Sequence, residues 1–224
     1  MKISVVIPVL NEEKSIGLVL DAIPKTLVNE IVVVDNRSSD QTALIARSKG
    51  AKVVHESRRG YGRACLTALR TLDRPEAVVF LDGDYSDFPE ELPQLITPLA
   101  QGDADFVIGS RILGSWEEGS IRPEVLSRNR LTCFLIRLFF KKRYTDIGPF
   151  RAIRYSTLQS LNMSNPFDGW HIEMQLKAAK RNVKTLEVPV RYRKRIGKPR
   201  LSGHYERRLF AGLKTWWTIF RYLP

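Results

Sequence analysis

Two cysteines in 224 residues are too few for a disulfide framework, and Cys65 and Cys133 fit a compartment where thiols stay reduced. No stretch reaches the roughly 18–20 uninterrupted apolar residues that a spanning helix needs. The opening Met1-Lys2-Ile3-Ser4-Val5-Val6-Ile7-Pro8 is too short and too β-branched for a signal peptide, and no small-residue cleavage site follows it. Low-complexity tracts, internal repeats and linkers are also missing, which excludes disordered and solenoid architectures. These absences lead us to expect a cytoplasmic protein, peripheral to a membrane at most.

Enough apolar residue is present, 43%, to bury a core. Charge is divided unevenly. Residues 1–110 carry 12 Lys/Arg against 16 Asp/Glu, a net of −4, and residues 111–224 carry 24 against 8, a net of +16. An acidic half can hold a metal ion, and a basic half attracts phosphates, anionic lipid or nucleic acid.

The first half alternates strands and helices. Ile3–Ile7 reads as a strand buried on both faces, followed by a helix that Asn11 caps and Glu12 and Glu13 favour at its positive end. Strands are predicted at 30–35, 53–55, 77–81 and 106–109. Helices are predicted after Ser39-Asp40, over 62–72 and over 88–100, with Pro93 and Pro98 marking breaks. Such alternation gives a mostly parallel sheet with helices on both faces, whose ligands bind beyond the carboxyl ends of the strands. The second half reads as helices over 122–143 and 170–181, a strand over 183–193, a basic loop over 191–200 and an amphipathic tail over 205–223.

Asp82-Gly83-Asp84 follows the apolar strand Val78–Leu81. Carboxylates two residues apart on an extended chain point the same way, so they can share one Mg²⁺ or Mn²⁺ that also takes diphosphate oxygens. Asp35 closes Val-Val-Val-Asp and can accept hydrogen bonds from a ribose or base. Gly60-Tyr61-Gly62, flanked by arginines, opens a helix and suits an anion, although a tight turn with exposed charge explains it equally well. His171 has no partner at metal-ligand spacing, and Trp170 fits either a sugar contact or the core.

Val-Val-Ile-Pro-Val-Leu-Asn-Glu-Glu (5–13), Val-Val-Val-Asp-Asn-Arg-Ser-Ser-Asp-Gln-Thr (32–42), Leu-Asp-Gly-Asp (81–84) and Ile-Gly-Ser-Arg (108–111) resemble, in order and spacing, the family-2 glycosyltransferases of GT-A fold. Thr145–Arg151, Gly169-Trp170-x-x-Glu173 and Glu187-Val188-Pro189-Val190 are similar to the dolichol-phosphate mannosyltransferase-like branch. The resemblance implies a Rossmann-like α/β domain over 1–204, with a nucleotide-sugar half (1–110) and an acceptor half (111–204), followed by an amphipathic helix over 205–224. It implies nucleoside contacts from Pro8, Asn11, Glu13 and Asp35, with Gly60 beside the donor. Asp82 and Asp84 would hold the metal and diphosphate, and Arg111 would bind a phosphate. Arg195, Lys198 and Ser202 would lie on a loop closing over the diphosphate, while Asp146, Arg151, Trp170 and Glu173 would face the acceptor. Two departures stand out: Asp-Gly-Asp-Tyr-Ser replaces the branch's Asp-Ala-Asp-Leu-Gln, and the transmembrane helices many relatives carry are missing.

The implied reaction is an inverting transfer from a nucleotide-diphosphate sugar. A lipid-phosphate acceptor needs only basic residues to hold it, and the basic second half suits this. A hydroxyl acceptor needs a general base, for which Glu173 and Asp146 are candidates. Leu131–Phe140 with Lys141-Lys142-Arg143, and Leu209–Leu223, read either as interfacial membrane helices or as faces packed on protein. Donor base, sugar and oligomeric state stay open. Nucleic-acid binding fits the charge, but no helix-turn-helix, zinc ligands or stacking strands are evident, and it leaves the aspartates unexplained. A nucleotidyltransferase would need a glycine-rich basic loop that Pro8–Glu13 does not offer.

Overall fold

Ile3–Val9 forms β1, and all seven residues are buried, as a β-branched strand covered on both faces should be. Around it the computed structural model, which describes residues 1–197, builds a seven-stranded sheet. Lys198, Ser202 and the helix expected over 205–224 lie outside the described residues.

The remaining strands are β2 (Glu30–Asp35), β3 (Lys52–His55), β4 (Ala77–Phe80), β5 (Phe106–Trp116), β6 (Arg151–Arg154) and β7 (Thr185–Tyr192). Their order is β3-β2-β1-β4-β6-β5-β7. Only β6 runs against the rest, pairing antiparallel with β4 and β5. The helices are α1 (Ile16–Ala22), α2 (Thr42–Ser48), α3 (Tyr61–Leu69), α4 (Leu92–Gln101), α5 (Pro123–Phe140), α6 (Tyr155–Leu161) and α7 (Trp170–Lys180).

Because strand side chains alternate, neighbours on one strand serve different cores. Val6 joins α3, α5 and α7 on one face, through Ala64, Cys65, Ile136, Trp170 and Met174. Val5, Ile7 and Val9 join α1 and α4 on the other, through Ile16, Leu20, Leu95 and Leu99. Cys65 and Cys133 are both buried and unpaired as a disulfide.

Several expectations shift. Asn11 does not cap a helix. Its φ is 54°, and its side-chain oxygen accepts the Ser39 N–H at 2.8 Å, so it braces the β2–α2 loop and α1 waits until Ile16. Nor does Asp40 occupy the cap of α2, which is Gln41 without a side-chain bond; Asp40 accepts the Thr42 N–H at 3.0 Å from one residue further out. Pro98 lies inside α4 without ending it, and a 3₁₀ turn over Pro89–Glu91 precedes that helix. β5 runs on past Gly109 because β7 pairs alongside it as far as Trp116.

The parallel strands finish level. Val9 pairs with Asp35, which pairs with His55, so three carboxyl ends share one edge. The chain leaving β4 arrives there too, because Leu81 N–H still bonds the Val6 carbonyl at 3.1 Å. Behind that edge, the loop before α7 docks on α3. Arg63 N–H donates to the Pro166 carbonyl at 3.0 Å, and a β-carbon on Gly62 would sit 1.9 Å from the Asn165 carbonyl oxygen. Gly62→Ala should therefore cost about 1–3 kcal/mol through overpacking, read as a lower urea midpoint. Gly17→Ala, whose new carbon meets Ile45 at an ordinary 3.4 Å, should be neutral or stabilising by up to about 1 kcal/mol.

Candidate active site

The turn Asp82-Gly83-Asp84 folds directly over the end of β1. A β-carbon on Gly83 would lie 2.6 Å from Val9 Cγ1, so only glycine lets the backbone pass so close. Tyr61, the first residue of α3, donates its hydroxyl to Asp82 Oδ1 at 3.1 Å. Asp84 is buried, and its Oδ1 accepts both the Ser86 N–H at 3.0 Å and the Ser86 hydroxyl at 2.5 Å. Asp84 Oδ2 faces Arg195 Nη1 at 3.3 Å.

That guanidinium also donates to Glu12 Oε1 at 2.9 Å. Glu12 is the buried carboxylate of the Asn-Glu-Glu triplet, at 3% exposure. Glu13, the residue expected at the nucleoside, instead accepts the Gln41 N–H at 3.2 Å and braces the neighbouring loop. Pro8 lies buried within β1 opposite Val34.

Asp35 ends β2 at this edge. Its Oδ1 accepts the Ser38 N–H at 3.0 Å, and its Oδ2 lies 3.0 Å from His55 Nδ1. Arg47 lies 2.7 Å from the other ring nitrogen. An arginine only donates, so Nε2 accepts and Nδ1 carries the proton given to Asp35. Asn36 next door takes the Gly60 N–H and donates to the Glu56 and Arg58 carbonyls, tying the 56–60 loop to β2. The open cavity here, about 780 Å³, is lined by Asp35, Arg37, His55, Glu56, Arg58 and Arg70.

Asp87 was not singled out in the sequence. It is 1% exposed, and among the described residues its carboxylate has no well-formed hydrogen bond, although the Asp82 backbone N–H approaches it. Burial, then the charges of Asp82 and Asp84, push its pKa well above the usual carboxylate range. Buried acids packed this closely suit a cation, and the guanidinium already resting on Asp84 stands in for one. Among the described residues no group of three His, Cys, Asp or Glu could hold a metal, so a cation here would rest on the aspartate pair and need oxygens from a ligand.

Arg111 does not project a free guanidinium. Its Nε and Nη2 each bond Asp146 at 2.7 Å, and its backbone N–H bonds the same carboxylate at 2.9 Å. Burial lowers its pKa, but Asp146 more than offsets this and holds it above the ordinary value. Asp146 is fully buried and seated by its neighbours: Glu187 accepts the Thr145 N–H at 2.9 Å, and Gln175 donates to the Asp146 carbonyl at 3.0 Å. Asp146 thus positions Arg111, and its carboxylate is committed to that pairing.

Three residues expected at the acceptor side lie elsewhere. Arg151 is wholly buried in β6, donating to the carbonyls of Gly148 and His171, and burial lowers its pKa to about 10. Trp170 is wholly buried in the core, edge-on to Phe80 at 5.9 Å. Glu173 is also fully buried, accepting the backbone N–H groups of Ser164 at 3.0 Å and Asn165 at 2.8 Å. A base must reach the proton it removes. Glu173 instead holds the loop that carries Pro166 against Gly60 and Arg63.

Residues 4–161 match the model of the family described as glycosyl transferase family 2. The chain belongs to that family. It is 34% identical to an uncharacterized glycosyltransferase of Mycobacterium tuberculosis, covering 97% of each chain. It is 33% identical to the dolichyl-phosphate hexose transferase of Haloferax volcanii, covering 89% of this chain and 86% of that one. Among solved structures, it is similar to glucosyl-3-phosphoglycerate synthase from Mycobacterium tuberculosis in complex with Mn²⁺, UDP-glucose and phosphoglyceric acid, with a TM-score of 0.78 and 26% identity over 100% of this chain and 80% of that one. The protein is thus a family 2 glycosyltransferase, and the acidic edge is where that activity is to be sought. Asp146→Ala, which strands the buried Arg111 charge, should cost about 3–5 kcal/mol in chemical denaturation, and an unchanged midpoint would remove Asp146 from this scaffold.

Proposed function

We propose that this glycosyltransferase moves a hexose from a nucleotide diphosphate onto a polyprenyl-type lipid phosphate at a membrane surface. The observation that carries the donor side is the Asp82–Asp84 turn folded over β1, with a cationic group already on Asp84. Asp35 and the cavity beside it would take the nucleoside. Asp82 and Asp84 would hold a divalent cation, Mg²⁺ or Mn²⁺, with the diphosphate. The chemistry such an ion supplies is neutralisation of charge on the departing diphosphate. Arg195 would add a second positive group at the same place. The acceptor oxygen would attack the anomeric carbon as the bond to the diphosphate breaks, in one inverting displacement. An ionised phosphate acceptor needs no base, which agrees with the burial of Glu173 and the commitment of Asp146.

The surface of α5 supports the lipid reading. Leu131, Phe134 and Leu138 are exposed at helical spacing, Phe134 by 59% and Leu138 by 58%. Arg130, Arg137, Lys141 and Arg143 are exposed along and just beyond the same stripe. An apolar stripe flanked by cations suits an anionic bilayer surface. No helix among the described residues is long and apolar enough to cross a membrane, so contact would be in the plane of the surface. The Haloferax relative's name carries a dolichyl phosphate, which supports the same acceptor class. The solved neighbour's phosphoglyceric acid favours a second reading, a small phosphorylated acceptor.

The deciding assay offers UDP- and GDP-hexoses with Mn²⁺ to the protein, with polyprenyl phosphate in liposomes or phosphoglycerate in solution, and reads the product by mass. Lipid-linked hexose is expected, and glycosylated phosphoglycerate alone would establish the second reading. Asp84→Asn should reduce transfer by about 10²–10³-fold while leaving the thermal midpoint near wild type. Transfer retained by that variant would remove the cation from Asp84. Phe134→Glu with Leu138→Glu should weaken flotation with anionic liposomes by tenfold or more, since each buried apolar side chain is worth about 1.5–3 kcal/mol. Equal flotation of the double variant would separate α5 from the membrane.

A further inference from the structure

Glu12 and Asp84 are 3% and 7% exposed, and one guanidinium joins them. Arg195 Nη2 donates to Glu12 Oε1 at 2.9 Å, and Nη1 lies 3.3 Å from Asp84 Oδ2. The segment carrying Arg195 is laced to the aspartate turn. Ile196 N–H donates to the Asp84 carbonyl and Arg193 N–H to the Ser86 carbonyl, both at 2.9 Å. The Arg193 guanidinium lies 3.5 Å from the centre of the Tyr85 ring and donates to the Tyr85 carbonyl at 2.8 Å. Gly197, at φ 91°, passes near Glu12: a β-carbon there would lie 3.7 Å from Glu12 Oε2.

A guanidinium and a divalent cation compete for the same carboxylate lone pairs. Asp84 Oδ1 is already taken by the Ser86 N–H and hydroxyl. Oδ2 is the oxygen left for a cation, and it is the one Arg195 covers. Glu12 is tied more closely to the guanidinium than Asp84 is, and Ser15 also bonds its Oε2, at 3.2 Å.

We propose that Arg195 is a displaceable plug pivoting on Glu12. In the free protein its Nη1 arm fills the cation's place on Asp84. When metal and diphosphate arrive together, Asp84 releases that arm to the metal and the guanidinium turns to the phosphates, with Glu12 keeping the other arm. Metal alone must part the guanidinium from Asp84 and sit beside a positive charge that Glu12 still holds there, so it binds weakly. Metal with diphosphate binds well, because the phosphates give the arginine a new partner. Glu12 is then a positioning residue. The inference rests on reading this edge as a cation and diphosphate site.

The test titrates Mn²⁺ into the nucleotide-free full chain, with free Mn²⁺ read by electron paramagnetic resonance, and repeats the titration with pyrophosphate. Arg195→Gln should tighten Mn²⁺ binding about tenfold, because a nearby positive charge is gone. Arg195→Lys, which keeps the charge, should stay weak like wild type. With pyrophosphate the order should reverse, Arg195→Gln binding it about tenfold more weakly than wild type. Glu12→Gln, which frees the pivot, should lose part of wild type's gain from pyrophosphate. Thermal unfolding confirms that each variant is folded. Mn²⁺ bound by wild type, lost in Asp84→Asn and not tightened by Arg195→Gln would overturn the plug alone. No Mn²⁺ binding by any variant, with or without pyrophosphate, would overturn the cation site and the plug with it.

Discussion

Four carboxylates gathered at one edge of a sheet repel one another, and much of this protein answers that repulsion. Glu12, Asp82, Asp84 and Asp87 arrive from two loops that the level ends of β1 and β4 bring together. Two like charges 4 Å apart repel by about 4 kcal/mol at an effective dielectric of 20, a large share of a typical folding free energy. Each acid is handled differently. Tyr61 hydrogen-bonds Asp82, Ser86 takes one oxygen of Asp84, Arg195 spans Glu12 and Asp84, and Asp87 is driven toward its neutral form. An edge this acidic suits a cation, because the fold has already met the cost of assembling it.

The supports reach far back. Tyr61 is placed by the turn at Gly60 and Gly62, which closes against the 164–167 loop. Glu173 fixes that loop from inside the protein. On the other flank Glu187 and Gln175 seat the turn that holds Asp146, and Asp146 holds Arg111. The motifs that resemble the lipid-phosphate branch in the second half are thus largely scaffold. Their charged members Asp146, Arg151 and Glu173 are buried and hold neighbouring groups in place.

That distinction explains what the chain disclosed before its structure. The sheet, its parallel order and the edge occupied by Asp35, Asp82 and Asp84 were legible, because β-branched runs ending in acids are local signals. β6 was not, since Arg-Ala-Ile-Arg carries charges at both ends, and it takes the carbonyls of Gly148 and His171 and the Gln175 side chain to make a buried Arg151 tolerable. Asp87 was passed over because it falls just before the helix expected over 88–100 and outside the Asp-Gly-Asp triplet, while its burial accompanies β7 crossing at Tyr192. Glu12 and Glu13 are indistinguishable as letters. Asn11 at φ 54° decides between them, turning one toward Asp84 and the other toward Gln41.

The positive charge of the second half invites a simple reading, arginines pulling a phosphate into the cleft, and the side chains do not follow it. Arg111 is neutralised by Asp146, Arg151 is consumed by carbonyls, and Arg193 lies flat on Tyr85 and Phe88. Among the described residues Arg195 is the arginine that pairs with Asp84, and it is shared with Glu12. The exposed excess, Arg130, Arg137, Lys141 and Arg143, lines α5 and its exit instead. Charge at a protein's surface acts over about a Debye length and is not chosen for one bond. The basic half is therefore suited to bringing the protein to an anionic surface, while among the described residues a single arginine pairs with the carboxylates of the acidic edge.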